Sequence, residues 1–222
     1  MLLPFHGFDK DTYPEEYKQA IDLLKDAYFD DTTNADAIKR GNIALLSESN
    51  FGYGTLKAAR YQVIANNKGT PKNTFLLRFS VNADISNLSH LDKDGAAHGE
   101  ELCFIFRCGF FDSYKLYENA LQIRDDSNVN YRTIRRMVDI ITNFARTGNP
   151  SVEGDTPFMS STSPDKIFSQ DITNDPNSSL MTDLMQQTHF NTWEQIDDTH
   201  QKLKSRDTQG YCDASTCDDH KN

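Results

Sequence analysis

Residues 73–81, NTFLLRFSV, constrain this chain more than any other stretch. Phe75, Leu77, Phe79 and Val81 alternate with Thr74, Leu76, Arg78 and Ser80, the period of a β-strand with one strongly buried face. A lone strand cannot satisfy its own backbone N–H and C=O groups, and it needs neighbours to pair with. Four or five helical patterns surround it, and no second segment reads as a strand of equal quality. The sequence therefore predicts a sheet of which only part is visible.

The helical patterns run as follows. Thr12 and Glu15 stand at capping-box spacing with Pro14 in the first turn, and Tyr17, Ile21, Leu24 and Tyr28 share a face. This predicts a helix from there to Phe29, broken by the polar residues 30–36. Residues 37–54 predict a weaker helix and then a Gly-rich turn. Residues 55–67 predict an amphipathic helix burying Leu56, Ala59 and Val63, stopped at NKGTP. Beyond the strand, a polar loop spans 82–97. The segment from Gly99 to Phe111 reads equally as a short helix or an apolar strand.

Residues 131–150, YRTIRRMVDIITNFARTGNP, form the clearest helical pattern. Its expected buried stripe is Ile134, Met137, Val138, Ile141 and Phe144, with Gly148 and Pro150 ending it. Arg132, Arg135, Arg136 and Arg146 read as a solvated face. Residues 151–177 read as loops with a small edge hairpin. A terminal helix presents Phe190, Trp193, Ile196 and Leu203. The reading is one domain over 1–204 and a disordered tail over 205–222.

Composition narrows the function classes. A net charge of -10 and a pI near 5.0 argue against nucleic acid and anionic membrane surfaces as partners, since both need clustered Lys and Arg. A hydrophobic fraction of 37% and a mean hydropathy of -0.66 imply a modest core for 222 residues. No apolar run approaches the roughly 20 residues a membrane helix needs. The start, MLLPFHGFDKD, has neither a basic flank nor a secretory apolar stretch. Cys103/Cys108 and Cys212/Cys217 are both C-x4-C pairs, a spacing compatible with four-thiolate zinc. An offset of five points the thiols of CFIFRC apart, so Cys103 reads as an ordinary buried thiol and no metal or cofactor is expected. Sequons at Asn87 and Asn177 do not settle the compartment.

Phosphate-loop, dinucleotide, zinc-protease and G-x-S-x-G motifs are absent from the 222 residues. His98 is the one residue whose setting suggests chemistry. It follows the strand by one polar loop, has Ala96, Ala97 and Gly99 around it, and precedes Glu100 and Glu101. An exposed imidazole there can shuttle a proton, but it needs a nucleophile and an orienting acid.

TFLLRFSV, then HGEELCFIF, then RRMVDIITNFARTGNP, then FNTWEQI together resemble the C-terminal part of a type-B carboxylesterase, most like the insect alpha-esterase branch. The resemblance covers most of Phe51 to Leu203. It implies an α/β-hydrolase fold, a mostly parallel sheet flanked by helices, here incomplete. It implies a Ser-Glu/Asp-His triad in which His98 matches the catalytic histidine. Chain order in that fold is serine, acid, histidine, so the serine, the acid and the oxyanion loop are expected before Met1. FHGF at residues 5–8 is not that loop, for it lacks the further glycines. Glu48 and Asp30 sit in no matching motif for the acid, and Glu101 is expected to orient the loop or cap the next segment. Residues 150–166 lack the family's Trp-x-Pro after TGNP.

The implied function is a C-terminal portion of a carboxylic ester hydrolase, inactive alone, whose intact form takes a small carboxylic ester. The alternative is a non-catalytic, carboxylesterase-like binding protein; a third reading is pairing with a separate N-terminal half. The resemblance favours the cytoplasm, with secretion as the alternative because the expected true start lies earlier.

Overall fold

The computed structural model describes residues 9–70, 72–82, 95–106, 124–125, 127–175 and 181–210. These fall into two compact units, one built from the residues up to Ala58 and those from Met185 onward, the other from Ala59–Leu184.

In the first unit, α1 (Pro14–Tyr28) begins with proline at its first turn, Glu15 and Glu16 behind it and Lys25 in the last turn, all matched to the helix dipole. The expected capping box does not form. Thr12 Oγ1 donates instead to Asp9 Oδ2 at 2.6 Å, and Tyr13 holds the cap position without a side-chain bond. The buried residues are Ala20, Leu24 and Tyr28, an i, i+4 row, while Tyr17 and Ile21 are only half covered.

Asn34 caps α2 (Ala35–Ser47), its Oδ1 accepting the N–H groups of Asp36 at 2.9 Å and Ala37 at 3.2 Å. Gly41 is buried where α2 meets α1: a Cβ built there lies 2.3 Å from the Tyr28 carbonyl oxygen. Gly41→Ala should therefore lower the melting temperature, although Ala for Gly normally favours a helix by about 1 kcal/mol. Forcing the helices apart costs about 1–3 kcal/mol. A rise in the thermal midpoint measured by circular dichroism would refute the close approach.

The Gly-rich turn expected at 52–54 is absent. α2 runs through a π-helical stretch (Glu48–Gly52) into α3 (Tyr53–Asn66). Two glycines in a helix cost about 1 kcal/mol each, which the burial of Tyr53 and Leu56 opposes. α3 gives its first residues to this unit and its remainder to the second. Lys57 pairs with Asp197 and lies 2.9 Å from Tyr53 Oη. Burial opposes both charges, yet the pairing wins, raising the Lys57 ammonium and lowering the Asp197 carboxyl. Burial pushes the Tyr53 phenol up to about 12.

The last helix among the described residues, α6 (Phe190–Gly210), buries Phe190, Trp193, Ile196 and Leu203, the four residues its period predicts. It extends past Ser205, the expected start of the tail; residues 211–222 lie outside the described residues.

The second unit holds the sheet. β1 (Leu76–Phe79) pairs in parallel with β2 (Phe168–Ile172), Leu77 opposite Gln170 and Phe79 opposite Ile172. β2 pairs antiparallel with β3 (Met181–Asp183). The order is β1-β2-β3, a small mixed sheet with β2 at its centre. The antiparallel β2–β3 pair agrees with the hairpin expected from 151–177, though its second strand falls beyond that range; the correction is that β2 is a central strand, paired in parallel with β1. β2 escapes detection because three successive buried residues, Ser169, Gln170 and Asp171, are polar. Among the described residues no strand pairs with the outer edge of β1. Phe75, Leu77 and Phe79 are half-buried rather than strongly buried, and Val81 alone of that row is buried.

Asp171 is ion-paired with Arg78, its register partner. Gln170 is 1% exposed, and neither atom of its amide has a protein partner. A buried polar atom without a partner costs about 1–3 kcal/mol, and an apolar replacement of similar shape removes that cost. Gln170→Met should thus raise the thermal midpoint by a few degrees. A fall would show that the amide is satisfied, through bound water, in the folded protein.

Among the described residues, two helices lie along the chain between β1 and β2: α4 (Leu102–Ile105) and α5 (Val129–Thr147). α4 settles the ambiguity over the start of 99–111 in favour of helix; residues 107–111 lie outside the described residues. Asn128 caps α5, accepting Tyr131 N–H at 3.0 Å, and Gly148 ends it at φ 75°, donating to Phe144 O at 2.8 Å. The buried stripe of α5 is Thr133, Ile134, Met137 and Ile140. Val138, Ile141 and Phe144, expected inside, are 41%, 44% and 51% exposed. The helix carries a wider apolar arc than this unit covers. Ile141 and Phe144 instead join Phe75, Leu77, Pro150 and Phe158 around an apolar groove of about 150 Å³. Nor is the arginine face simply solvated, since Arg136 Nε donates to Asp155 Oδ2 at 2.7 Å and Arg132 Nη2 to Asn174 O at 2.8 Å.

Candidate functional site around His98

His98 is the second residue of a tight turn closed in two directions. Glu100 N–H donates to Ala97 O at 3.2 Å, and Ala97 N–H donates to Glu100 Oε2 at 2.7 Å. The third residue, Gly99, has φ +83°, a conformation side chains disfavour. A Cβ at Gly99 would meet nothing within 4 Å. Glycine is required here by the backbone, not by crowding. His98 itself is exposed, while Glu100 is 4% exposed.

The turn is fastened to the core on its C-terminal side. Leu102, Cys103 and Phe104 donate in sequence to the carbonyls of Gly99, Glu100 and Glu101 at 3.3, 3.1 and 3.0 Å, which winds the chain into α4. Cys103 and Phe104 then enter the cluster of Val81, Ile134, Met137, Ile140 and Ile172. The Phe104 ring centroid lies 5.0 Å from that of Phe79. On the N-terminal side Gly95, at φ +91°, approaches the carbonyl of Ser80: a Cβ there would be 3.7 Å away. The segment entering the turn therefore passes beside the carboxyl end of β1, the side of an open α/β sheet where ligands bind. Residues 83–94 of the intervening loop lie outside the described residues.

The orienting role expected of Glu101 falls to its neighbour. Glu101 holds the cap position of α4 without a side-chain bond, and Glu100 closes the turn. Ala97-x-x-Glu100 has the spacing of a capping box, a pattern visible in the sequence once the turn is located.

Both carboxylates considered for the acid, Asp30 and Glu48, have partners within the first unit. Asp30, exposed, accepts the N–H of Asp31 at 3.0 Å. Glu48, in the first unit, accepts Tyr28 Oη–H at 2.6 Å and His189 N–H at 3.0 Å, with His189 Nδ1 at 3.3 Å from its other oxygen. Trp193 Nε1–H donates onward to Tyr28 Oη at 2.7 Å. Burial first, then the bond to Glu48, push the Tyr28 phenol far above its ordinary range, so it acts as a donor. This carboxylate–imidazole pair was not foreseen from sequence, because its members are 141 positions apart and only folding joins them.

Cys103 is buried, as its setting predicts, but it is disulfide-bonded rather than a thiol. Among the described residues no cluster of three His, Cys, Asp or Glu could hold a metal ion, and no helix is long and apolar enough to cross a membrane.

Comparison with known proteins bears on this geometry. Residues 6–193 match the carboxylesterase family. Carboxylesterase 4A of Bos taurus is 29% identical over 136 residues, 60% of this chain and 22% of that protein. Esterase E4 of Myzus persicae is 26% identical over 143 residues, 62% of this chain and 23% of that protein. The chain thus spans less than a quarter of the length of these relatives. Juvenile hormone esterase from Manduca sexta, solved with OTFP covalently attached, superposes with a TM-score of 0.57 at 20% identity, over 83% of this chain and 33% of that one. That likeness establishes the α/β-hydrolase architecture, of which the three-stranded mixed sheet and its helices are a part. With 6–193 of its 222 residues matched, the chain belongs to the carboxylesterase family.

Proposed function

We propose that this chain is the histidine-bearing portion of a carboxylic ester hydrolase, with His98 as the general base of a Ser-Glu/Asp-His triad. The serine and the acid come from sequence outside these 222 residues. The observation that carries the reading is an exposed imidazole on a glycine-dependent turn, fastened to the core beside the carboxyl end of β1, within the family-matched span. The exposed apolar residues of α5 and the edge of β1, unpaired among the described residues, support it, since both are surfaces that a larger sheet and its flanking layer would bury.

In this mechanism the imidazole removes the serine proton as the oxygen attacks the ester carbonyl. The tetrahedral intermediate collapses, the leaving alcohol takes that proton from the imidazolium, and an acyl-serine remains. Water, deprotonated by the same imidazole, then releases the carboxylic acid and restores the serine. The substrate class is a small carboxylic ester.

A non-catalytic binding protein of the same family is the alternative reading, because fold does not dictate function. Purification of the native protein carrying AAHGEELCFIF separates the two. The expected result is an intact mass well above 25.3 kDa, hydrolysis of a p-nitrophenyl ester, and covalent labelling by a fluorophosphonate. A native species of 25.3 kDa that neither hydrolyses nor labels would sink the esterase reading. Fractionation of the same cells bears on the compartment: the family likeness favours the cytoplasm, whereas the disulfide at Cys103 favours an oxidising one.

A further inference from the structure

We infer that Glu100 is the positioning residue for His98, an inference that rests on the reading of His98 as the base. Three observations carry it. Glu100 is almost wholly buried at 4% exposure, two residues from an imidazole that faces solvent. Its Oε2 accepts the N–H of Ala97, the residue before His98, at 2.7 Å. Its own N–H donates to Ala97 O at 3.2 Å, so Ala97 and Glu100 are tied by backbone and by side chain around the histidine.

The physical case concerns the freedom that remains without this bond. Gly99 gives the turn its positive φ, but glycine is also the most permissive residue in the chain, and a glycine turn has many competing conformations. One long backbone bond of 3.2 Å leaves the entering segment free to swing about Gly95, which is also at positive φ. The carboxylate bond closes the turn from the buried side and fixes the direction in which the Cα–Cβ bond of His98 leaves the backbone. A general base must stay within hydrogen-bond reach of the proton it removes, and displacement by about 1 Å can cost about a hundredfold in rate. Glu100 touches neither ester nor proton. It acts through the turn.

The test compares Glu100→Ala, Glu100→Asp and Glu100→Gln in the full chain. Asp is one methylene too short to reach Ala97 N–H, while Gln keeps an acceptor oxygen at the same length. The readouts are hydrogen exchange of the Ala97 amide and the ring resonances of His98 by NMR, which a merely stabilising role elsewhere would not move. The expected result is at least tenfold faster exchange at Ala97 and broadened or doubled His98 signals in the Ala and Asp variants, with parental behaviour in Gln. Parental exchange and a single sharp His98 signal in the Asp variant would overturn the assignment, as would equal loss in Gln. Should the Ala variant fail to fold, the Asp–Gln contrast still decides. In the native esterase the same series should lower kcat with KM unchanged and be rescued by Gln. If a His98 variant keeps full activity while the NMR contrast holds, the reading of His98 fails and the turn assignment stands.

Discussion

On the proposed reading of His98 as the general base, its replacement by glutamine in the native protein is expected to lower kcat for ester hydrolysis by at least about 10⁴-fold, with KM little changed. Glutamine keeps the polarity and approximate size of imidazole but cannot accept and return a proton. Serine then attacks only as a neutral hydroxyl, and the leaving alcohol departs unprotonated. On the same reading KM is the control, because the substitution removes proton transfer and not a binding contact. The residual rate should come from oxyanion stabilisation alone. The turn itself should survive, because His98 is exposed and both bonds that close the turn are made by Ala97 and Glu100. Unchanged exchange at the Ala97 amide in His98→Gln would verify that the loss is chemical. Activity within tenfold of the parent would mean that another group is the base.

Replacing Trp193 by alanine should produce the largest loss of stability of any single substitution in the first unit, about 3–5 kcal/mol. Trp193 is 1% exposed. Its ring lies 6.4 Å from that of Tyr28 and 6.2 Å from that of Tyr53, and its indole N–H donates to Tyr28 Oη. Alanine leaves a cavity among these rings and takes away the donor that orients the Tyr28–Glu48–His189 chain. For a protein of this size the thermal midpoint should fall by roughly 6–20 °C. Trp193→Phe keeps most of the packing but loses the hydrogen bond, and should cost only about 1–2 kcal/mol. Because Trp193 is the only tryptophan, circular dichroism rather than fluorescence must follow unfolding. Similar losses for Phe and Ala would show that the hydrogen bond, not the cavity, dominates.

Several elements were legible because one local pattern decided them. The strand at 76–79 follows from period-two alternation, and the last helix from the spacing of Phe190, Trp193, Ile196 and Leu203. α5 announces its C-terminal end through Gly148, whereas its cap, Asn128, lies before the residues whose period marks the helix. Other elements were hidden because their stability is not local. β2 is polar and buried, held by pairing to β1 and β3 and by Arg78 across from Asp171. The glycines at 52 and 54 suggested a turn, but burial on both sides carries the chain through them as helix.

The site divides in the same way. HGEELCFIF singled out His98 by the residues around it, and the four blocks TFLLRFSV, HGEELCFIF, RRMVDIITNFARTGNP and FNTWEQI, in that order, carried the resemblance to the carboxylesterases. Only the tertiary structure decided that Glu100 and not Glu101 closes the turn, that Glu48 belongs with Tyr28 and His189, and that Val138, Ile141 and Phe144 of α5 lie outside the core. A helical period shows that a face is apolar, but which part of that face is buried depends on the layer packed against it. Which of two adjacent carboxylates turns inward depends on the backbone dihedrals of the turn before it. Such choices are made by contacts between distant segments, and a one-dimensional pattern does not contain them.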